Sequence, residues 1–301
     1  MDKQIFWLSS YPKSGNTLLR SILIGLFFTK DGIFSLDLAK NIGQFDITIH
    51  AEKNKHLFQE DYGKIGDIRI LYKYLNKLQS KKALGFTQDF IFLKTHSGLF
   101  EINGNAFTFE KNTRGIIYIL RDPRDVCVSY SKHSGITIDK CIDFMTNDTS
   151  TGYWMESRNI GKIFEDPTRP RSLLGSWEKN VLSWTAINWK TPSLVLRFED
   201  LVYKKEDTIN KIINFFEKNY NFKFHDKINR IQNVLNSTSF DKLRKEEEEK
   251  GFPEATENNK FFSVGKKDQW KDKLNNLQIM RLEKKFKEVM IKFEYDLSSI
   301  S

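Results

Sequence analysis

The chain has few of the residues that would place it among disulfide-rich, metal-binding or membrane proteins. Two cysteines, Cys127 and Cys141, in 301 residues make neither a disulfide framework nor a metal spacing, and a reducing compartment is their natural setting. Cys127 falls among Val126, Val128 and Tyr130 and reads as core rather than as a reactive thiol. No apolar run approaches the roughly 20 residues that span a bilayer; residues 22–28 are apolar, but Arg20 stands close by. The start, Met1-Asp2-Lys3-Gln4, lacks the pattern of a signal peptide. The expected location is therefore cytoplasmic, with the Asn147-Asp148-Thr149 and Asn236-Ser237-Thr238 sequons accidental. The net charge of +9 is spread along the chain without a tight basic tract or a repeat. That pattern argues against a nucleic-acid partner and leaves a solvated basic surface or a polyanionic small ligand. Histidines number only five.

What is present is concentrated near the N-terminus. The segment Ser10-Tyr11-Pro12-Lys13-Ser14-Gly15-Asn16-Thr17 follows the apolar run Ile5-Phe6-Trp7-Leu8 and precedes a helix-like stretch at 18–28. A strand, a tight turn of small residues and a helix start converge backbone N–H groups and the positive helix end on one point, where a phosphate can sit. An ATP or GTP loop, G-x-x-x-x-G-K-[ST], carries a lysine after its last glycine for the β/γ-phosphates and a hydroxyl for Mg²⁺. Aligned on Gly15, the lysine position holds Asn16, the hydroxyl position holds Thr17, and the only lysine, Lys13, stands upstream. Such a loop expects no γ-phosphate; its lysine faces the end of a shorter phosphate chain. Taken alone, the turn has a second reading as a polar βα connection with a serine cap, which its fit to a phosphate cradle outweighs.

A second segment resembles the first in design. Residues 115–120 read as a buried strand that ends in Arg121-Asp122-Pro123-Arg124-Asp125-Val126-Cys127-Val128-Ser129. Pro123 suits a first helical turn, where its missing N–H costs nothing, so Arg121 stands at a strand's carboxyl end. Ser129, about two helical turns further on, returns to the same side. The two are candidates to hold a second phosphate; Arg121 and Asp125 alone would also fit a simple ion pair across the turn.

At these residues the chain resembles the sulfotransferases that use 3′-phosphoadenosine-5′-phosphosulfate (PAPS). That family carries a Y-P-K-S-G-[TN]-T loop for the 5′-phosphosulfate and an R-[ND]-P-[KR]-D-V-x-V-S segment for the 3′-phosphate. Phe92-Leu93-Lys94-Thr95-His96 resembles its K-T-H strand end, Gly175-Ser176-Trp177 its G-S-W helix, and Phe198-Glu199-Asp200 the end of its V-L-x-x-[YF]-E-D strand. Thr238-Ser239-Phe240 is similar to its T-S-F segment, and residues 262–271 to its closing F-R-K-G-x-x-G-D-W-K loop. The matches run in order from the N-terminus to near residue 271 and cover nearly the whole chain.

The resemblance implies the following roles. Backbone amides of Ser14, Gly15, Asn16 and Thr17, with the Thr17 hydroxyl, hold the 5′-phosphate. Lys13 stabilises the bridging oxygen of the bond that breaks, and Lys94 contacts the sulfuryl oxygens. Arg121 and Ser129 hold the 3′-phosphate, Ser129 also restraining Lys13. Phe198 and Phe240 hold the adenine, and Gly265 with Lys266 or Lys267 completes the 3′-phosphate site. His96 is the expected base, since an imidazole titrates near working pH; His133 is second choice, and His50, His56 and His225 read as surface residues. No metal is required. PAP, the 3′,5′-bisphosphate, is the expected product, and the acceptor is a small-molecule, lipid or glycan hydroxyl or amine.

Three departures stand out. Leu18 replaces a tryptophan that stacks on the base, Ser263 and Val264 replace a basic pair in the closing loop, and Lys273-Leu274-Asn275-Asn276 replaces a dimer segment, so no oligomeric state is expected. The competing readings are a P-loop kinase or NTPase, and an inactive nucleotide-binding module.

Strand patterns at 4–9, 90–94, 115–120 and 193–198 alternate with helix patterns at 17–28, 123–133, 174–189, 205–217 and 268–293. They predict an α/β domain over 1–301, a P-loop-type parallel sheet flanked by helices on both faces. Ligands of such a sheet bind beyond the carboxyl ends of the strands, where these motifs fall. Within the last helix, Leu274, Leu277, Met280, Leu282, Phe286, Met290 and Phe293 are expected in the core. Two stretches, 31–88 and 147–172, read as insertions carrying acceptor specificity, the second with the rigid signature Glu165-Asp166-Pro167-Thr168-Arg169-Pro170.

Overall fold

The computed structural model describes residues 3–45, 47–152, 171–252 and 265–298. The 165–170 signature, Ser263 and Val264 lie outside the described residues.

Four apolar segments become a parallel sheet: β1 (Ile5–Ser9), β2 (Ile91–Thr95), β3 (Thr113–Leu120) and β4 (Ser193–Arg197), in spatial order β2-β1-β3-β4. The near-continuous hydrophobic runs of β1 and β3 suit strands covered on both faces. Trp7, Leu93, Ile116, Tyr118 and Leu120 point into one apolar layer; Phe6, Leu8, Phe92, Ile117 and Ile119 point into the other. β4 is an edge strand and is partly exposed. From β1 the chain crosses to β2 on one side and then to β3 on the other. The switch point therefore lies beyond the carboxyl ends of β1 and β3.

Helix α1 (Asn16–Phe27) follows β1 directly and packs in the second layer. Part of the 31–88 insertion is core: α2 (Ile68–Leu78), capped by Asp67, buries Leu71, Tyr72, Leu75 and Leu78 in the first layer. After β3 come α3 (Pro123–Ser134) and α4 (Ile138–Thr146), with Cys127 and Cys141 both buried and unoxidised between them. Helix α5 (Trp177–Thr185) is shorter than the expected 174–189. Ser176 accepts the Lys179 N–H and starts it, while the Leu174 N–H donates to the Ser150 carbonyl at 2.9 Å instead of joining a helix. Helix α6 (Lys205–Tyr220) runs three residues beyond 217 and ends at Asn221 in left-handed conformation. Helices α7 (Lys227–Ser237) and α8 (Phe240–Lys250) follow.

The expected single helix at 268–293 is instead a short turn at Trp270–Lys273 and a separate α9 (Asn276–Lys292). Asn275 caps α9 and exchanges hydrogen bonds with Gln278 in a capping box. The break resets the helical phase, so Leu277 and Met280 are exposed while Ile279, Leu282, Phe286 and Met290 face the core. Among the described residues no helix is long and apolar enough to cross a membrane.

Candidate active site

The phosphate loop leaves β1 at Ser9 and enters α1 at Asn16 through two left-handed residues, Lys13 (φ 64°) and Gly15 (φ 96°). A β-carbon on Gly15 would lie 2.4 Å from Cδ2 of Phe198, so the position is closed to side chains by both backbone and packing. Gly15 offers no side-chain cap to α1, which leaves the first-turn amides available to an anion. Ser14 is fully buried, and among the described residues its Oγ has no hydrogen-bond partner. Thr17 is buried in the first turn. The Asn16 side chain turns inward: Nδ2 donates to the Leu8 carbonyl at 2.9 Å and to Ser10 Oγ at 3.2 Å.

Arg121 lies across the switch point at the end of β3. Its Nη1 donates to the Lys13 carbonyl at 3.3 Å and its Nη2 to the Lys266 carbonyl at 3.1 Å; Nε is buried and, among the described residues, unmatched. Burial pulls its pKa down from the ordinary arginine value, opposed by Asp125. The expected pair with Asp125 is present but long, 3.9 Å. Asp125 has a second task. Its two carboxylate oxygens accept the backbone N–H groups of Asp268 (2.9 Å) and Trp270 (3.1 Å), fastening the closing segment to α3. Burial raises its carboxyl pKa, with Arg121 acting the other way. Ser129, one turn beyond Asp125 on α3, is half-buried, and among the described residues no hydrogen bond joins it to Arg121 or Lys13.

The turn that carries Arg121 is braced from two sides. Glu199 accepts the Asp122 N–H (3.1 Å) and the Tyr295 hydroxyl (3.1 Å), burial raising its carboxyl pKa. Arg124 packs over Trp270, Cζ 3.9 Å from the ring centroid, and pairs with the fully buried Glu283 at 2.5 Å. Glu283 also accepts the N–H and hydroxyl of Ser298.

Of the adenine candidates, Phe198 is buried between Gly15 and the Arg121 guanidinium. Phe240 begins α8 and packs against Gly265, whose β-carbon would lie 2.5 Å from its Cζ. Lys266 presents its carbonyl to Arg121, while its side chain is exposed. Leu18 is core.

Beyond β2, Lys94 is buried and His96 half-buried. The His96 Nδ1 lies 2.9 Å from the Ser10 carbonyl oxygen and 3.1 Å from Ser10 Oγ. A carbonyl only accepts, so Nδ1 carries the proton of the neutral ring and Nε2 holds the lone pair. Asn180 donates to the His96 carbonyl at 3.0 Å and accepts from the Tyr118 hydroxyl at 2.9 Å. The first insertion reaches this strand end: Gly43 and Phe45 pair with the Lys94 backbone, while Leu173, just past the second insertion, accepts the Gly98 N–H at its carbonyl. His133 ends α3; His56 and His225 are exposed. His50 departs from the surface expectation: it is half-buried, its ring stacks on Phe45 at 5.2 Å, and burial lowers its pKa to about 4.

Sequence reading passed over Ser10, Asp125's second role, Asn180 and Glu199. Asp125 and Glu199 lay within quoted motifs, but their partners are remote in the chain.

The fold is that of a P-loop-type α/β protein, with the 10–17 loop and Arg121 facing each other across the sheet's switch point. The chain belongs to the sulfotransferase domain family, whose profile matches residues 3–294. It is 28% identical to luciferin sulfotransferase of Photinus pyralis over 129 residues, 43% of this chain and 29% of that protein. It is 30% identical to sulfotransferase 1B1 of Canis lupus familiaris over 138 residues, 46% of this chain and 40% of that protein. A 3-beta-hydroxysteroid sulfotransferase of Cavia porcellus is 27% identical over 198 residues, 61% of this chain and 58% of that protein. The matched stretches thus span less than two thirds of these relatives. Two solved structures share the fold: mouse sulfotransferase SULT7A1 complexed with PAP (TM-score 0.57, 17% identity, 96% of this chain and 84% of that chain), and retinol dehydratase in complex with androsterone and PAP (TM-score 0.58, 18% identity, 96% and 81%).

Proposed function

We propose that this chain is a PAPS-dependent sulfotransferase acting on a hydroxyl or amine of a small-molecule, lipid or glycan acceptor. The observation that carries the reading is the two-ended grip: a phosphate loop without a lysine at Asn16, tied through the Lys13 carbonyl to Arg121 across the switch point. The unmatched donors Ser14 Oγ and Arg121 Nε, in a protein interior where polar groups are normally paired, fit a site completed by an anionic ligand. The family membership and the names of the relatives support a small-molecule acceptor.

Bound PAPS supplies the sulfuryl group and its leaving 5′-phosphate. Ser14, Gly15, Asn16 and Thr17 hold the 5′-phosphate end; Arg121, Ser129, Gly265 and Lys266 hold the 3′-phosphate; Phe198 and Phe240 border the adenine. Lys13 and Lys94 stabilise the oxygens that gain charge in the transition state. His96 takes the acceptor's proton at Nε2, its Nδ1–H bond to the Ser10 carbonyl steadying the imidazolium that results. Residues of the 31–88 insertion beside Lys94 help select the acceptor.

Thermal stabilisation by PAP against ATP-Mg tests the nucleotide reading, and transfer from radiolabelled PAPS across an acceptor library tests the activity. A larger shift with PAP is expected; a larger shift with ATP-Mg would overturn the assignment in favour of a kinase-like protein.

A further inference from the structure

The parallel register pairs Ser9 with Thr95, and beyond the strands Ser10 N–H still donates to the Thr95 carbonyl at 3.2 Å. The next residues of the two chains, Ser10 and His96, therefore face each other. We propose that Ser10 and Asn16 are positioning residues for His96: they hold its neutral ring in the Nδ1–H tautomer and fix the direction of its Nε2 lone pair. The phosphate loop then sets the base, an inference that rests on the reading of His96 as base.

The contacts assign the protons in sequence. The group of Asn16 that lies 2.9 Å from the Leu8 carbonyl must be its amide nitrogen, because that carbonyl can only accept. The same nitrogen donates to Ser10 Oγ at 3.2 Å. One lone pair of the Ser10 hydroxyl is thereby taken, and the other faces Nδ1–H of His96 at 3.1 Å. Ser10 thus offers His96 two acceptors, and the carbonyl, which has no proton to give, decides that Nδ1 is the donor to both. Both residues of this link are shielded from solvent, Ser10 at 1% and Asn16 at 4% exposure, so water does not scramble the pattern.

The arrangement also accounts for Asn16 standing where an ATP loop has lysine. A lysine is a donor that reaches outward to phosphate; the short asparagine amide reaches back to the end of β1 and across to the base. Asn16 is at the same time the first residue of α1, whose N-terminus faces the anion site. Nucleotide cradle and base are one mechanical unit. When Nε2 is protonated, the bonds from Nδ1–H become charge-assisted and strengthen, which raises the ring's basicity. Asn180, holding the His96 carbonyl at 3.0 Å, fixes the backbone of the same residue.

The test is the ¹⁵N spectrum of the histidine rings in the full chain saturated with PAP, at about pH 8, where an unperturbed imidazole is neutral. His96 is assigned by the signals lost in His96→Ala. Wild type should show protonated Nδ1 and unprotonated Nε2 for His96. The Ser10 carbonyl remains an acceptor for Nδ1–H in both alanine variants. Ser10→Ala and Asn16→Ala should therefore each keep Nδ1–H as the major form but lower its preference over the other tautomer by about fivefold, the worth of one hydrogen bond, with the Kd for PAP within about twofold of wild type, and Ser10→Thr should restore the single tautomer. An unchanged Nδ1–H preference in both alanine variants would overturn the proposal. So would a Kd for PAP raised about tenfold with the tautomer unchanged, the size expected if the side chain served only the nucleotide. Wild-type transfer by His96→Ala would defeat the base role separately, while the ring spectra would still decide the contact.

Discussion

The guanidinium of Arg121 lies over the ring of Phe198, with Cζ 4.3 Å from the centroid, and the edge of that ring occupies the space a β-carbon on Gly15 would need. One aromatic side chain, just past β4, therefore sets the spacing between Gly15 and Arg121. Gly15→Ala should force a left-handed alanine against Phe198, destabilise the fold by about 1–3 kcal/mol and abolish stabilisation by PAP. Denaturant unfolding and thermal shift read the two effects separately.

Asp125→Asn replaces a carboxylate that accepts two backbone N–H groups with an amide that offers one acceptor and two donors. The closing segment should loosen at Asp268 and Trp270. The Kd for PAP should rise by about tenfold or more, as for a lost hydrogen bond to a charged group, measured by calorimetry.

His96→Ala should lower kcat by about 10²–10⁴-fold, the usual contribution of a general base, with PAP affinity unchanged. Should activity survive, His133 or an acidic side chain near the acceptor becomes the base to test.

His50 gives a pH signature. Its pKa, about 6.5 in the unfolded chain, falls to about 4 in the fold through burial first and Lys53 second. The unfolded state therefore binds the extra proton between these values. Stability is full above pH 6.5 and is lost as pH falls toward 4, by about 2 kcal/mol at pH 5. His50→Leu should lose this share of the dependence, compared with wild type by urea unfolding at pH 7 and 5.

Lys205, at the start of α6, donates to the Thr238 carbonyl at 2.6 Å and so holds the segment leading to Phe240. Burial lowers its pKa to about 8. Between pH 8 and the unfolded value near 10.4 the unfolded chain binds the extra proton, so this group's penalty is present below pH 8 and relieved as pH rises. The stability of wild type relative to Lys205→Met should increase from pH 7 to 9.5, and the variant should bind PAP about tenfold more weakly through loss of the anchor.

The four strands are legible in the sequence because burial on both faces leaves uninterrupted apolar runs, and Gly15 and Pro123 mark the two turns that carry the site. The break at Asn275 is hidden because its neighbours continue a helix-like apolar spacing, and only the cap exchange with Gln278 stops it. His50 is misread because its partner, Phe45, belongs to a stretch without strong periodicity. The contacts that complete the site join residues far apart in the chain, such as Asn180 with His96 and Asp125 with Trp270. No local pattern encodes them; they follow from sheet register and helix docking.

The buried braces behind Arg121 set an order in time. Residues 10–17 leave the ribosome well before Glu283, Tyr295 and Ser298, which brace the turn that carries Arg121. Until those later residues are made, Arg124 lacks Glu283 and Glu199 lacks Tyr295, so the turn stays unbraced while the earlier loop is already outside.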